Sequence, residues 1–251
     1  MAVSSLRIFS DSLALHIELN VWLPDNVSGE KAIPVLYLLH GLTDDHNGYL
    51  LHSPLMKYVN EMPVAVVMPQ VHRSYYTDMK QGGKYWTFVS QELPQKLKQW
   101  YRISDKPEDT FVAGLSMGGY AALKWALRYP HKIKAAWALS PAVDITDMRK
   151  RMPEREEEFQ WIFGSISEFE SSENNLFHLL RQTDDNVTLP AMKQYCGRQD
   201  YLYEDNKRFQ ELAEAKWGNY EFYESDGEHD WDFWYPNFEH VFSEIKQYLH
   251  H

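Results

Sequence analysis

Between residues 13 and 23 the chain alternates: Leu13, Leu15, Ile17, Leu19, Val21 and Leu23 fall on one side, His16, Glu18, Asn20 and Trp22 on the other. A period of two marks a strand half-buried on a sheet, and residues 6–10 are its natural antiparallel partner. The next apolar segments differ. Residues 33–39 and 64–68 are almost unbroken hydrophobic runs, the composition of strands covered on both faces. Helical character appears between them at 51–60 and again at 88–101, where Pro94 predicts a break or a late start. Strands are then expected at 110–113, 135–139, 192–196 and 220–223, and helices at 118–129 and 204–217. The last helix is the clearest, with Trp234, Phe238, Val241, Phe242, Ile245 and Leu249 on a 3.6-residue stripe. Such alternation of strand and helix predicts an α/β chain: a mainly parallel central sheet with helices on both faces.

One stretch breaks the rhythm. Residues 143–187 carry Arg149, Lys150 and Arg151 and the acidic Glu154 and Glu156 to Glu158, yet also Phe159, Trp161, Ile162, Phe163, Leu176, Phe177, Leu179 and Leu180. This reads as a small helical insertion within a single domain spanning 1–249. It has two uses open to it: a cap-like cover over a site, or a surface element serving as decoration or as a homo-oligomer contact. The terminal His250 and His251, native or a tag remnant, are set aside.

Composition narrows the function. With 44% hydrophobic and 15% aromatic residues, the 251-residue chain can fill one large core. Its net charge of -11 disfavours nucleic acid and anionic membranes as partners. Cys196 is the one cysteine, so neither an intramolecular disulfide nor a cysteine zinc site can form. Asp11, His16 and Glu18 interrupt every candidate signal sequence, and no apolar run approaches the ~20 residues of a membrane span. A cytoplasmic location and no cofactor are therefore expected. Two clusters, His40, Asp44, Asp45 and His46, and Glu228, His229, Asp230 and Asp232, invite a metal reading. Neither has the helical two-histidine spacing of metal hydrolases, and no metal is expected.

The chemistry converges on Gly114-Leu115-Ser116-Met117-Gly118. The pattern follows an apolar strand and precedes a helix, the strand–turn–helix setting of a nucleophile elbow. Glycines around the serine permit a tight turn and close approach of helix to strand. Serine needs a base. Of the late histidines, His240 falls within the last helix, whereas His229 follows a strand in the polar loop Ser225-Asp226-Gly227-Glu228-His229. Asp200, after the strand at 192–196, best fits the carboxylate that orients the imidazole, with Asp205 and Asp226 as competitors. An oxyanion hole is expected from the backbone N–H groups of Met117 and Leu42, the latter in the loop His40-Gly41-Leu42-Thr43. Tyr75, Tyr76, Tyr85, Trp86, Trp231 and Trp234 could each line a substrate pocket; large aromatics are more often buried, which favours core packing for all but Trp231, with Trp86 kept beside Trp231 as a pocket candidate.

In Leu38-Leu39-His40-Gly41-Leu42, in Ala113-Gly114-Leu115-Ser116-Met117-Gly118-Gly119-Tyr120, and in Cys196-Gly197-Arg198-Gln199-Asp200-Tyr201-Leu202-Tyr203-Glu204, the chain resembles the esterase D group of α/β-hydrolases. Trp86 and Glu92-Leu93-Pro94 extend the match, and the bacterial tributyrin-esterase type is most similar. The resemblance implies an α/β-hydrolase fold and a serine carboxylesterase hydrolysing short acyl esters through Ser116, Asp200 and His229. S-formylglutathione hydrolases and feruloyl or acetyl-sugar esterases are similar relatives, so substrate does not follow from fold. Formylglutathione hydrolases commonly carry a cysteine just after the oxyanion loop; this chain has Thr43-Asp44-Asp45 there, which disfavours the thioester reading.

Overall fold

The computed structural model describes residues 2–25, 32–52, 55–60 and 62–249. These form one eight-stranded sheet in the order β1-β2-β4-β3-β5-β6-β7-β8. β1 (Ala2–Ser10) pairs antiparallel with β2 (Leu15–Leu23), and β2 antiparallel with β4 (Ala65–Pro69). β3 (Val35–Leu39), β5 (Thr110–Leu115), β6 (Ala135–Leu139), β7 (Ala191–Gly197) and β8 (Tyr220–Ser225) continue the sheet in parallel register.

The unbroken apolar strands split by parity between two cores. β3 sends Leu36 and Leu38 to one side and Val35, Tyr37 and Leu39 to the other. α1 (Gly48–His52), α2 (Leu55–Val59) and the last helix, α11 (Trp231–Leu249), cover the first of these faces. The opposite face is covered by α4 (Leu93–Trp100), α5 (Met117–Arg128) and α10 (Tyr203–Lys216).

Two expectations are corrected. Asn20 and Trp22, assigned to the polar face of β2, are fully buried, whereas Leu15 is exposed. The pairing with β4 starts only at Leu19, so the strand is covered on both faces from there onward. Asn20 Nδ2 donates to the His46 carbonyl and to Asn47 Oδ1, both at 2.9 Å, which pins the loop after β3. Pro94 also acts differently. The helix begins earlier, as the turn α3 (Tyr85–Thr87), widens into a π-turn at Phe88–Glu92, and resumes as α4 with Pro94 in its first turn. The widened turn stands just before Pro94, so the ladder is already shifted where proline has no N–H to donate. Glu92, in the widened turn, accepts from Ser10 Oγ at 2.8 Å and from the Asp11 and Ser12 N–H groups at 2.9 Å, closing the β1–β2 turn.

The stretch 143–187 is helical. It comprises α6 (Ile145–Arg151), α7 (Glu156–Phe163), α8 (Ile166–Glu170) and α9 (Leu176–Gln182). Phe159, Phe169, Leu176 and Leu180 belong to the same core as α5, so the segment shares the main core. Lys124 of α5, itself fully buried, donates 2.7 Å to Asn174 Oδ1 and 3.1 Å to the Tyr76 carbonyl, and Tyr120 Oη donates 2.6 Å to the Asn174 carbonyl.

β3 is where the sheet changes its direction of growth, with β4 on one side and β5 on the other. Crevices form outside the carboxyl ends of strands at such a point. The loop after β3 and the turn after β5 both open into it.

Candidate active site

Ser116 stands between β5 and α5 with φ 53° and ψ -114°, a conformation costly for a residue with a Cβ. The surroundings enforce it. Ser116 N–H donates 2.8 Å to the Leu139 carbonyl, and the Ser116 carbonyl accepts from Tyr120 N–H at 2.9 Å and Ala142 N–H at 3.2 Å. The flanking glycines are required by contact: a Cβ on Gly118 would lie 1.9 Å from the Leu39 carbonyl oxygen, and one on Gly114 would lie 2.4 Å from the Gly118 carbonyl carbon. The turn thus brings the start of α5 against the end of β3.

His229 reaches this turn from the loop between β8 and α11. Its Nε2 is 2.9 Å from Ser116 Oγ and its Nδ1 is 2.8 Å from Asp200 Oδ2. With a proton on Nδ1 shared with the carboxylate, Nε2 is left to accept from the serine hydroxyl. Asp200 is buried after β7, and its Oδ1 accepts from Leu202 N–H at 2.8 Å. Its two competitors are engaged elsewhere. Asp205 is paired with Arg151 and Arg208 on α10, and Asp226 is exposed and paired with Arg198 at 3.3 Å. The Tyr201 ring lies 4.7 Å from the His229 ring, and the Trp234 ring 5.0 Å edge-on, so the imidazole is bracketed by aromatics. Trp234 is itself fixed by its Nε1–H to Ser140 Oγ at 3.0 Å.

The loop after β3 is held from three directions. Tyr49 Oη donates 2.9 Å to the Leu39 carbonyl and Tyr76 Oη 3.1 Å to the His40 carbonyl. His40 Nδ1 lies 2.7 Å from the Gly41 carbonyl, while its Nε2 accepts from Val71 N–H at 3.2 Å. Both ring nitrogens are occupied by backbone, and burial pushes the imidazole down to about 4. His40 is therefore a neutral bracket for the loop, with its proton on Nδ1. Leu42 lines the same cleft as Ser116 and His229. Met117 opens α5, where a backbone N–H has no intrahelical partner. The two metal-like clusters of the sequence do not converge: His40 and His229 spend both ring nitrogens on the contacts just described.

The cleft has a volume of about 440 Å³ and is lined by Trp231, Trp234, Tyr75 and Tyr201 among others, together with Met148 and Arg155 of the inserted segment. Trp231 is where the sequence put it. Trp86 is not. It is 2% exposed, stacked on Tyr129 with ring centroids 5.8 Å apart and flanked by Lys124 and Arg128, and it does not line the cleft. The turn that carries it packs against the outer flank of α5, so its indole fills core. The reverse error concerns Tyr75 and Trp234, read as core yet facing the cleft as well. Tyr201 had a signal, its place directly after Asp200; Met148 and Arg155 had none, because only folding brings them to Ser116.

Comparisons with known proteins bear on the family and the fold. The model of the esterase family matches residues 10–245. An acetyl esterase of Caldicellulosiruptor saccharolyticus is 27% identical over 93% of this chain and 94% of its own. Among solved structures, the fluorophosphonate-binding serine hydrolase F of Staphylococcus aureus is 30% identical with a TM-score of 0.88, over 97% of this chain and 98% of that one. An S-formylglutathione hydrolase from Staphylococcus aureus is 29% identical with a TM-score of 0.85 and the same coverage.

Proposed function

The chain belongs to the esterase family, and from that premise we propose that it hydrolyses short-chain carboxylic esters with Ser116 as nucleophile, His229 as base and Asp200 as the orienting carboxylate. One observation carries the reading: the unbroken chain from Ser116 Oγ through His229 to Asp200, with contacts of 2.9 and 2.8 Å, opening into a cleft.

The chemistry follows from the geometry. Ser116 Oγ attacks the ester carbonyl while its proton passes to His229 Nε2. Negative charge develops on the carbonyl oxygen, for which the Leu42 and Met117 N–H groups are the donors. Collapse breaks the acyl–oxygen bond, and the imidazolium returns the proton to the departing alkoxide. Water then attacks the acyl-enzyme by the same route and releases the acid. Asp200 remains ionised, holding the Nδ1–H tautomer and stabilising the imidazolium.

The acetyl esterase relative supports a small acyl group, as does the resemblance to tributyrin esterases. The inserted segment acts as a cap in this reading, since Met148 and Arg155 wall the cleft. Thioester hydrolysis is a second reading, favoured by the S-formylglutathione hydrolase at 29% identity. A cytoplasmic location belongs to the same reading: Cys196 is a lone buried thiol that needs no oxidising compartment.

A fluorophosphonate probe is expected to label wild-type protein on Ser116, while Ser116→Ala takes no label and loses at least roughly a thousandfold in turnover of p-nitrophenyl acetate. Labelling or turnover retained in that variant overturns the mechanism. Rates on p-nitrophenyl esters from acetate to palmitate, beside S-formylglutathione and methyl ferulate, then rank the substrates.

A further inference from the structure

Arg155 is the one side chain with a permanent positive charge among the described residues that line the cleft around Ser116 and His229. It comes from the inserted segment, at the end of the short turn Pro153–Arg155 that leads into α7. Its guanidinium sits over the Phe159 ring, with the centroid 4.7 Å away, Nε donates 2.8 Å to Glu158 Oε2, and Nη1 lies 3.6 Å from Met152 Sδ. Nη2 is buried and finds no partner of standard hydrogen-bond geometry among the described residues, the Tyr75 phenol being the polar group that interacts with the guanidinium.

Two features make this more than a surface ion pair. First, Glu158 is shared. Arg73 holds the same carboxylate through Nε at 2.5 Å and Nη2 at 3.0 Å, so two guanidinium groups meet one carboxylate and the cluster keeps one net positive charge. The phenol of Tyr75 beside Arg155 does not cancel it, because burial raises its pKa and keeps it protonated. Second, a buried donor on a charged group that lacks a partner is expensive, and such groups are normally satisfied by water or by a ligand. The two carboxylates that also line the cleft, Asp44 and Asp230, belong to the oxyanion loop and the His229 loop rather than to the insertion.

We propose that Arg155 is a specificity-determining residue that favours esters bearing a carboxylate, on either the acyl or the alcohol side, through a charge-assisted hydrogen bond from its guanidinium. The inference rests on the esterase reading above and names the chemical class of substrate for that same cleft. A planar guanidinium suits a carboxylate because it offers parallel N–H donors in one fork.

The test compares matched anionic and neutral esters in wild type and in Arg155→Met. For a charge in the leaving group the pair is 4-acetoxybenzoate and methyl 4-acetoxybenzoate; for a charge in the acyl group it is ethyl hydrogen glutarate and diethyl glutarate. The ratio of kcat/KM, anionic over neutral, is expected to fall about tenfold in Arg155→Met for at least one pair, the effect of one charge-assisted hydrogen bond. Arg155→Lys should recover part of that ratio. Glu158→Gln removes the compensating charge and should raise the ratio, a readout that stands if Arg155→Met folds poorly. Ratios in Arg155→Met within twofold of wild type for both pairs, or no rise in Glu158→Gln for either pair, overturn the inference while leaving the esterase reading intact. No turnover of any of the four esters by a wild type that cleaves p-nitrophenyl acetate overturns this inference alone; a wild type that neither cleaves p-nitrophenyl acetate nor takes a fluorophosphonate label overturns the esterase reading, and this inference with it.

Discussion

The two walls of the cleft are built on different principles. One is made by the ends of β3, β5 and β6, where backbone is locked in place: Gly118 against the Leu39 carbonyl, Ser116 N–H on the Leu139 carbonyl, and the His40 ring held between Gly41 and Val71. An added carbon at Gly114 or Gly118 has no room there, because what it would meet is backbone. The other wall is the inserted segment. Its helices share apolar residues with the main core, but its outer ties are half-exposed ion pairs such as Arg73–Glu158 and Lys80–Glu168. Bond making needs atoms held within a fraction of an ångström, and interlocked backbone supplies that rigidity. Substrate choice needs a surface that can change without disturbing the reacting atoms. In the proposed function, chemistry belongs to the first wall and selection to the second.

The contrast can be broken most forcefully at Gly118. Gly118→Ala puts a Cβ 1.9 Å from the Leu39 carbonyl oxygen, inside backbone that cannot yield without dismantling the turn. A loss of about 4 kcal/mol or more in urea denaturation is expected, or failure to accumulate as folded protein. A variant with wild-type stability would show the first wall to be as yielding as the second.

His40 gives a smaller effect with a definite pH signature. Its imidazole titrates near 4 in the folded protein, below its ordinary 6.5, because burial penalises the charged form. Between pH 6.5 and 4 the unfolded chain takes up a proton that the native state refuses, so this residue makes stability decline as the pH falls through that window. Below about 4 the native ring protonates as well, and its Nε2 can no longer accept from Val71 N–H. In His40→Gln the drop in unfolding free energy from pH 7 to pH 4.5 should be smaller than in wild type by on the order of 2 kcal/mol. Equal drops in the two proteins would remove His40 as the neutral bracket of the loop.

Lys80 should do least. It meets Glu168 at 2.7 Å with both side chains at least half exposed, while its backbone N–H donates 3.0 Å to the Ile162 carbonyl whatever the side chain. Lys80→Met is expected to shift Tm by less than about 2 °C. A larger fall would mean that surface charge, and not the shared apolar core, holds the insertion in place.

How much of this was legible beforehand depends on how local each signal is. Ser116, His229 and Asp200 each sit at a strand end in a loop whose order along the chain can be read directly, and these are the residues that folding brings into hydrogen-bond contact. The separation of Asp200 from its competitors was weaker, because Asp205 and Asp226 are equally acidic and also lie between Ser116 and His229. The arginines that engage them, Arg151 and Arg198, become visible only in three dimensions. Trp86 was misjudged for a similar reason. An aromatic residue has the same hydropathy in a cleft as in a core, and only the packing of its turn against α5 separates the two.

By itself the sequence determined the alternation of strand and helix, the two-faced burial of the central strands, the strand–turn–helix setting of Ser116 and the order of Ser116, Asp200 and His229 at successive strand ends. These follow from periodicity and from steric rules acting over a few residues. Only the tertiary structure decided that His40 is a bracket, that β2 is buried on both faces beyond Leu19, and that a segment some forty residues from the elbow sets Arg155 beside it. Those are contacts between elements distant in sequence. They depend on crossover geometry and on how helices seat on a twisted sheet, which no local pattern of residues encodes.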